Sequence, residues 1–119
     1  MPLQKHDFII KQNDTLPALQ MCVIGRGCLN EKIPFDLTSV TGATFTMVDS
    51  QGCSKIVAQE AQIISASGGT IQYNWIADDT SESGIFKGEF QLLFADGKKL
   101  SVPQTSPIQI EIPKDLNPY

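Results

Sequence analysis

Two alternating apolar runs meet at Asp96 and Gly97 in the stretch SGIFKGEFQLLFADGKKLSVP, from Ser83 to Pro103. Phe86, Gly88, Phe90, Leu92 and Phe94 fall on one face of an extended segment, and Lys87, Glu89 and Gln91 fall on the other. This is the period-two pattern of a strand with one buried side. Asp-Gly between the runs predicts a tight hairpin turn with positive φ at both residues. The same alternation recurs along the chain. Phe8 and Ile10 share a face between Asp7 and Lys11, Phe45 and Met47 between Ala43 and Asp49, and Ile71, Tyr73 and Trp75 after a Gly68–Gly69 turn. Ile108, Ile110 and Ile112 form a last strand that Pro113 ends. Leu16 to Ile24 reads as one further strand, with Cys22 turned to the core and Pro17 confining its start to an edge or bulge.

Between these runs the pattern is less regular. Ile56, Ala58, Ala61 and Ile63 cannot all share one strand face, so Lys55 to Ser65 is expected to be a short strand, a kink near Gln59 and Glu60, and a second strand. An amphipathic helix competes here, because Ala, Gln and Glu favour helix. Gly25 to Lys32 reads as a polar connection, and Asp78 to Gly84 as a polar loop with room for one helical turn capped by Asp79 or Thr80. About seven to nine short strands, turn signals roughly every ten residues and no long helix predict an antiparallel sandwich or barrel, with Trp75 in the core between two sheets.

At 119 residues the chain has the size of one domain. Its net charge is −4 and Arg26 is its single arginine, so no basic stripe is available to neutralise phosphates, which argues against nucleic-acid binding. The opening MPLQKHDFIIK is too short in apolar residues for a secretory signal. The apolar runs fall far below the ~20 residues that span a bilayer. A chain that stays soluble, with no membrane partner, is the expectation. Cys22, Cys28 and Cys53 are odd in number and contain no CxxC pair, which predicts reduced thiols rather than a disulfide framework or a zinc site.

Candidate chemistry is sparse. His6 is the only histidine and precedes the first strand, away from any nucleophile it would have to serve as base. Asp78 and Asp79 are adjacent, and neighbours in a loop diverge rather than face a common cleft as glycosidase carboxylates do. Asp78, Asp79, Ser81 and Glu82 bring oxygen donors into one loop and invite a calcium reading, but the Asp-x-Asp-x-Asp-Gly order is missing. No catalytic, cofactor-binding or metal-ligating residue is assigned. The remaining profile is a non-enzymatic binding or assembly module whose strand edges a neighbouring chain can complete. The segments outside the core are a leading arm (Met1 to His6), the connection Gly25 to Ile33, and a tail (Lys114 to Tyr119). Arg26, Leu29, Leu116 and Tyr119 are the candidate assembly contacts.

The motifs DFIIKQNDTLPAL (Asp7 to Leu19), PFDLT (Pro34 to Thr38), TGATFTMVDSQG (Thr41 to Gly52), GGTIQYNW (Gly68 to Trp75), DDTSESGIFKGEF (Asp78 to Phe90), FADGKKLSVP (Phe94 to Pro103) and IQIEI (Ile108 to Ile112) follow one another in that order. Together the series resembles the small immunoglobulin-like structural domain of tailed bacteriophages, related to the amino-terminal domain of the phage baseplate upper protein. The departures are Asn13 in place of a usual glycine, Phe86 where tyrosine is common, and a longer connection from Gly25 to Ile33. Asn13 is compatible with the corner, since asparagine enters left-handed geometry more readily than most residues. The resemblance implies an all-β, antiparallel immunoglobulin-like β-sandwich over residues 7–113, between an arm (1–6) and a tail (114–119). It also implies a virion structural protein assembled in the host cytoplasm, a tail or baseplate subunit or adaptor that docks other phage structural proteins, while the strand edges suggest a homo-oligomer in the particle or a heterologous dock. A capsid decoration protein and a host-surface carbohydrate-binding module are the alternatives.

Overall fold

The computed structural model describes residues 7–26, 29, 32–103 and 106–116. Its strands are β1 (Phe8–Ile9), β2 (Leu19–Cys22), β3 (Ile24–Arg26), β4 (Lys32–Pro34), β5 (Val40–Asp49), β6 (Ser54–Glu60), β7 (Gln62–Ser65), β8 (Thr70–Tyr73), β9 (Gly84–Phe94), β10 (Lys99–Val102) and β11 (Ile108–Ile112). The alternation that predicts β9 also organises the larger sheet. Phe86, Gly88, Phe90 and Leu92 are buried, whereas Lys87, Glu89, Gln91 and Leu93 are exposed. One edge of β9 pairs antiparallel with β5, Phe90 opposite Phe45, and β6 extends the sheet beyond β5. On the other edge β11 covers the first half of β9 and β10 the second. Pro103 and Pro107, which lack amide hydrogens, flank the interruption between those two strands. β1 closes this side parallel to β11, the one departure from antiparallel pairing among the described strands.

The β9–β10 turn forms where Asp96-Gly97 predicts it, but by a different geometry. Only Gly97 has positive φ, at 89°. The Gly97 N–H donates to Phe94 O at 2.9 Å and the Phe94 N–H to Lys98 O at 2.8 Å. This is a three-residue loop in which glycine supplies the left-handed bulge position. Asp96 instead accepts the Lys98 N–H on its carboxylate at 3.0 Å.

The second sheet has the order β2–β8–β7, with Leu19 opposite Tyr73 and Met21 opposite Ile71. The irregular stretch Lys55 to Ser65 is where the chain changes sheets. β6 ends at Glu60 in the larger sheet, Ala61 is buried and donates its N–H to Ala43 O at 2.8 Å, and β7 begins in the smaller sheet. Ala58, at φ 47°, bulges β6 just before the crossing. Two short strands joined by a kink are therefore present and the competing helix is not, because Ile56 enters the core while its neighbour Val57 faces out.

β1, β2, β5, β6, β7, β8, β9 and the interrupted β10–β11 thus form the two facing sheets of an immunoglobulin-like sandwich, as expected. Two local readings need correction. Leu16 to Ile24 is not one strand: β2 stops at Cys22, Val23 turns inward, and β3 starts a separate ribbon. Cys22 is exposed rather than core-facing, because Leu19, Met21 and Val23 take the inward positions and leave Gln20 and Cys22 outside.

Aromatic rings join the sheets. Phe45 of β5 stacks on Tyr73 of β8 at 4.7 Å between ring centroids, meets Phe90 of β9 at 5.0 Å, and presents an edge to Trp75 at 5.8 Å. Trp75 is buried, as its alternation predicts, and Phe8 stacks on it at 5.8 Å. Gly88 makes this packing possible, since a Cβ there would lie 2.6 Å from Phe45 Cζ and 3.0 Å from Ile110 Cδ1. Neither neighbour has free space to move into, both being fully buried. Gly88→Ala is expected to destabilise the fold by about 1–3 kcal/mol through overpacking. The lower unfolded-chain entropy of alanine offsets less than about 1 kcal/mol of that. Urea denaturation should show a lower midpoint at unchanged slope.

Candidate functional site

The stretch expected to be a polar connection begins and ends as a two-stranded ribbon. β3 and β4 pair antiparallel, with Ile24 opposite Pro34, Gly25 opposite Ile33 and Arg26 opposite Lys32. Such a ribbon is marginal by itself and must be held at its base. The Val23 N–H donates to Gly69 O at 2.7 Å, and the Phe35 N–H donates to Val23 O at 2.8 Å. Gly69 is required at this junction: its φ is 69°, and a Cβ would lie 2.7 Å from Val23 O and 2.9 Å from Phe35 O. Phe35 packs edge-on against Phe94, and the Ala95 N–H donates to Ser39 O at 2.9 Å, tying the ribbon base to the β9–β10 hairpin.

Beyond this base the ribbon presents apolar surface. Ile24 and Ile33 are exposed, and Leu29 is 89% exposed. Arg26 and Lys32 occupy directly opposed register positions. Like charges at directly opposed positions weaken a strand pair.

The other end of the sandwich is built on a buried carboxylate. A 3₁₀ turn, Ala77–Thr80, has Ile76 at its N-cap rather than the expected Asp79 or Thr80, and Asp79, third in the turn, reaches back to accept the Ile76 N–H at 3.0 Å. The Tyr73 hydroxyl donates to the same Asp79 oxygen at 2.7 Å. Burial, then the hydrogen bond to Asp79 and the negative charge of that carboxylate, hold the Tyr73 hydroxyl protonated well above the usual tyrosine range. Thr80, fully buried, donates to Asp14 O at 2.8 Å, and the Asn13 N–H donates to Thr80 O at 2.9 Å. The Asp115 N–H donates to Gln12 Oε1 at 3.0 Å, so the start of the tail is attached to this corner rather than separate from the fold. Leu116, next along the chain, is 86% exposed.

The two ends are separated by the length of the strands. β2 runs from Leu19 opposite Tyr73 to Cys22 opposite Thr70, and β11 ends with Ile112 opposite Gly84. The ribbon therefore sits at the start of β8 with the hairpin, and the tail sits at its end with the 3₁₀ turn. Arg26 and Leu29 belong to the ribbon end of the chain and Leu116 to the other. Tyr119, the arm Met1 to His6, and Cys28 lie outside the described residues. Sequence reasoning singled out the ribbon segment but missed its pairing, for which Ile24-Gly25-Arg26 and Lys32-Ile33-Pro34 carry no clear alternation.

Asp79 is committed to Tyr73 and Ile76, and among the described residues no three His, Cys, Asp or Glu side chains come together as a metal-binding group. Tyr73 and Trp75 are buried and offer no ring for stacking a sugar. An open groove of about 670 Å³ lies where β6 leaves β5, lined by Gly42, Ala43, Thr44, Glu60, Ala61 and Ile63 among others, with Glu60 the one ionisable side chain in that lining. Among the described residues no helix is long and apolar enough to cross a membrane.

No family model matches the chain, and no curated protein matches it. Among solved structures, CopC from Methylosinus trichosporium OB3b is similar, with a TM-score of 0.53 at 10% identity over 97% of this chain and 91% of that one. The likeness is one of fold, and it spans both sheets.

The Tyr73–Asp79 pair yields a test. With its folded-state pKa raised above the unfolded value of about 10, Tyr73 contributes stability that is fully present below pH ~10 and is lost as pH rises further, because the unfolded state releases the proton first. Tyr73→Phe should remove that alkaline slope and cost about 1–3 kcal/mol at neutral pH by depriving the buried carboxylate of a donor. Denaturation midpoints measured across the alkaline range check both effects.

Proposed function

We propose that this chain is a non-enzymatic structural subunit of a tailed bacteriophage, placed at the tail or baseplate, where its ribbon end docks an acidic surface of another virion component. The observation that carries the reading is the ribbon itself. Arg26 and Lys32 oppose each other in register on an acidic protein, beside exposed Ile24, Ile33 and Leu29. An arrangement that costs local stability and exposes apolar surface is characteristic of a contact completed by a partner. The ordered motif series supports the phage assignment, since the stretches that resemble the phage domain supply β5, β8, β9, β10 and β11, the greater part of the sandwich. The ribbon, the segment that departs from that resemblance in length, is the one given to partner choice.

Immunogold labelling of purified particles with antiserum against this chain tests the assignment. Label at the distal tail is the expected result, label over the head replaces the tail reading with capsid decoration, and particles without label, intact or opened, overturn a virion role. The docking surface is tested by the double substitution Arg26→Glu and Lys32→Glu. It should abolish incorporation into particles while changing the stability of the isolated chain by no more than about 0.5 kcal/mol, the usual range for surface positions.

A further inference from the structure

The outer face of the smaller sheet carries no charged residue. Gln20 and Cys22 of β2, Thr70 and Gln72 of β8, Asn74 just beyond it, and Gln62 and Ile64 of β7 occupy its outward positions. By contrast, the outer face of the larger sheet exposes Lys87 and Glu89. Across the neutral face the amides form one directional ladder. Gln20 Nε2 donates to Gln72 Oε1 at 2.6 Å, Gln72 Nε2 to Asn74 Oδ1 at 2.8 Å, and Asn74 Nδ2 to Gln62 Oε1 at 3.0 Å. The ladder crosses every strand of the sheet in the order β2–β8–β7. Ile64 adds an apolar side chain, 49% exposed, at one edge.

We propose that this face binds a second copy of the chain, sheet against sheet, about a two-fold axis parallel to the strands. Two features select a second copy over another partner. First, two identical molecules of net charge −4 repel one another, and a charge-free face is where they approach against the least opposing field and with the least desolvation of ions. Second, the ladder is polar end to end. Its amides pair with one another internally, which leaves an acceptor, Gln20 Oε1, at the β2 edge and a donor, Gln62 Nε2, at the β7 edge. An isologous contact sets each patch against its own copy. With the axis along the strands, β2 of one copy lies over β7 of the other, acceptor end above donor end, and Gln72 at the centre of the middle strand faces its own counterpart. The packed sheets would stand about 10 Å apart, as facing sheets do.

Sedimentation equilibrium of the isolated chain tests this independently of where immunogold label falls on particles. The expected result is a monomer–dimer equilibrium below about 1 mM. Gln72→Lys should raise the dissociation constant about a hundredfold or more by placing like charges together at the axis. Gln72→Glu should do the same, and an equimolar mixture of the two should recover the dimer, which a merely misfolded variant would not. Gln20→Lys, at the exposed edge of the ladder, should weaken the dimer with its circular-dichroism melt unchanged. Gln91→Lys, on the outer face of the other sheet, should leave the equilibrium as it is. A chain that stays monomeric to about 1 mM, a dimer indifferent to Gln72→Lys, or a monomer that binds a soluble glycan through this face overturns the proposal.

Discussion

Phe45 sets the geometry on which the two sheets agree. Its ring comes from the larger sheet, lies against Tyr73 of the smaller one, and touches Phe90 and Trp75 as well, so the sheet separation and their relative shift are fixed by one side chain's neighbours. The arrangement requires a missing side chain as much as a present one, because Gly88 sits where any Cβ would enter the Phe45 ring. β9 therefore combines two demands: its large residues fill the core on either side of Gly88, and the glycine leaves room for a ring contributed by β5. Dense interiors transmit such constraints over several residues, which is why positions as distant in sequence as Phe8 and Trp75 stack together.

Around this centre the polar groups are placed in two different ways. At the tail end Asp79 accepts from Tyr73 and Ile76 and Thr80 is bonded to the Asp14 corner, while Trp75 Nε1 is buried with no partner among the described residues. The carboxylate at this end is already used by two donors. At the ribbon end the backbone is anchored, and Ile24, Leu29 and Ile33 are exposed. The fold thus separates the part that holds itself together from the part available to something else, and the outer face of the smaller sheet forms a third, neutral surface between them.

The strands that alternate cleanly were legible from sequence. Phe86 to Phe94, Ile71 to Trp75 and Ile108 to Ile112 show their buried face directly, since each step changes side. Cys22 was misplaced because the phase of β2 is set by what Leu19 and Met21 meet on β8, and a small residue between two polar or apolar neighbours carries no phase of its own. The ribbon was hidden because its pairing depends on Gly69 and Phe35, outside the segment itself. Arg26, Leu29 and Leu116 were legible as residues without core duties, but only strand order puts the first two at one end and the third at the other. The amide ladder was invisible for a similar reason: Gln20, Gln62, Gln72 and Asn74 are scattered glutamines and an asparagine until β2, β8 and β7 are laid side by side.

The way the ribbon is rooted separates its position from its reach. Two backbone hydrogen bonds and the Gly69 turn fix where β3 leaves and β4 returns, and the pairing of Arg26 with Lys32 closes the described part of the ribbon. Residues inserted between those two positions would lengthen the projection without disturbing any strand of the sandwich, since loop closure grows only slowly more costly with length. Insertion and deletion at this single point can therefore change the ribbon while every strand of the sandwich keeps its place.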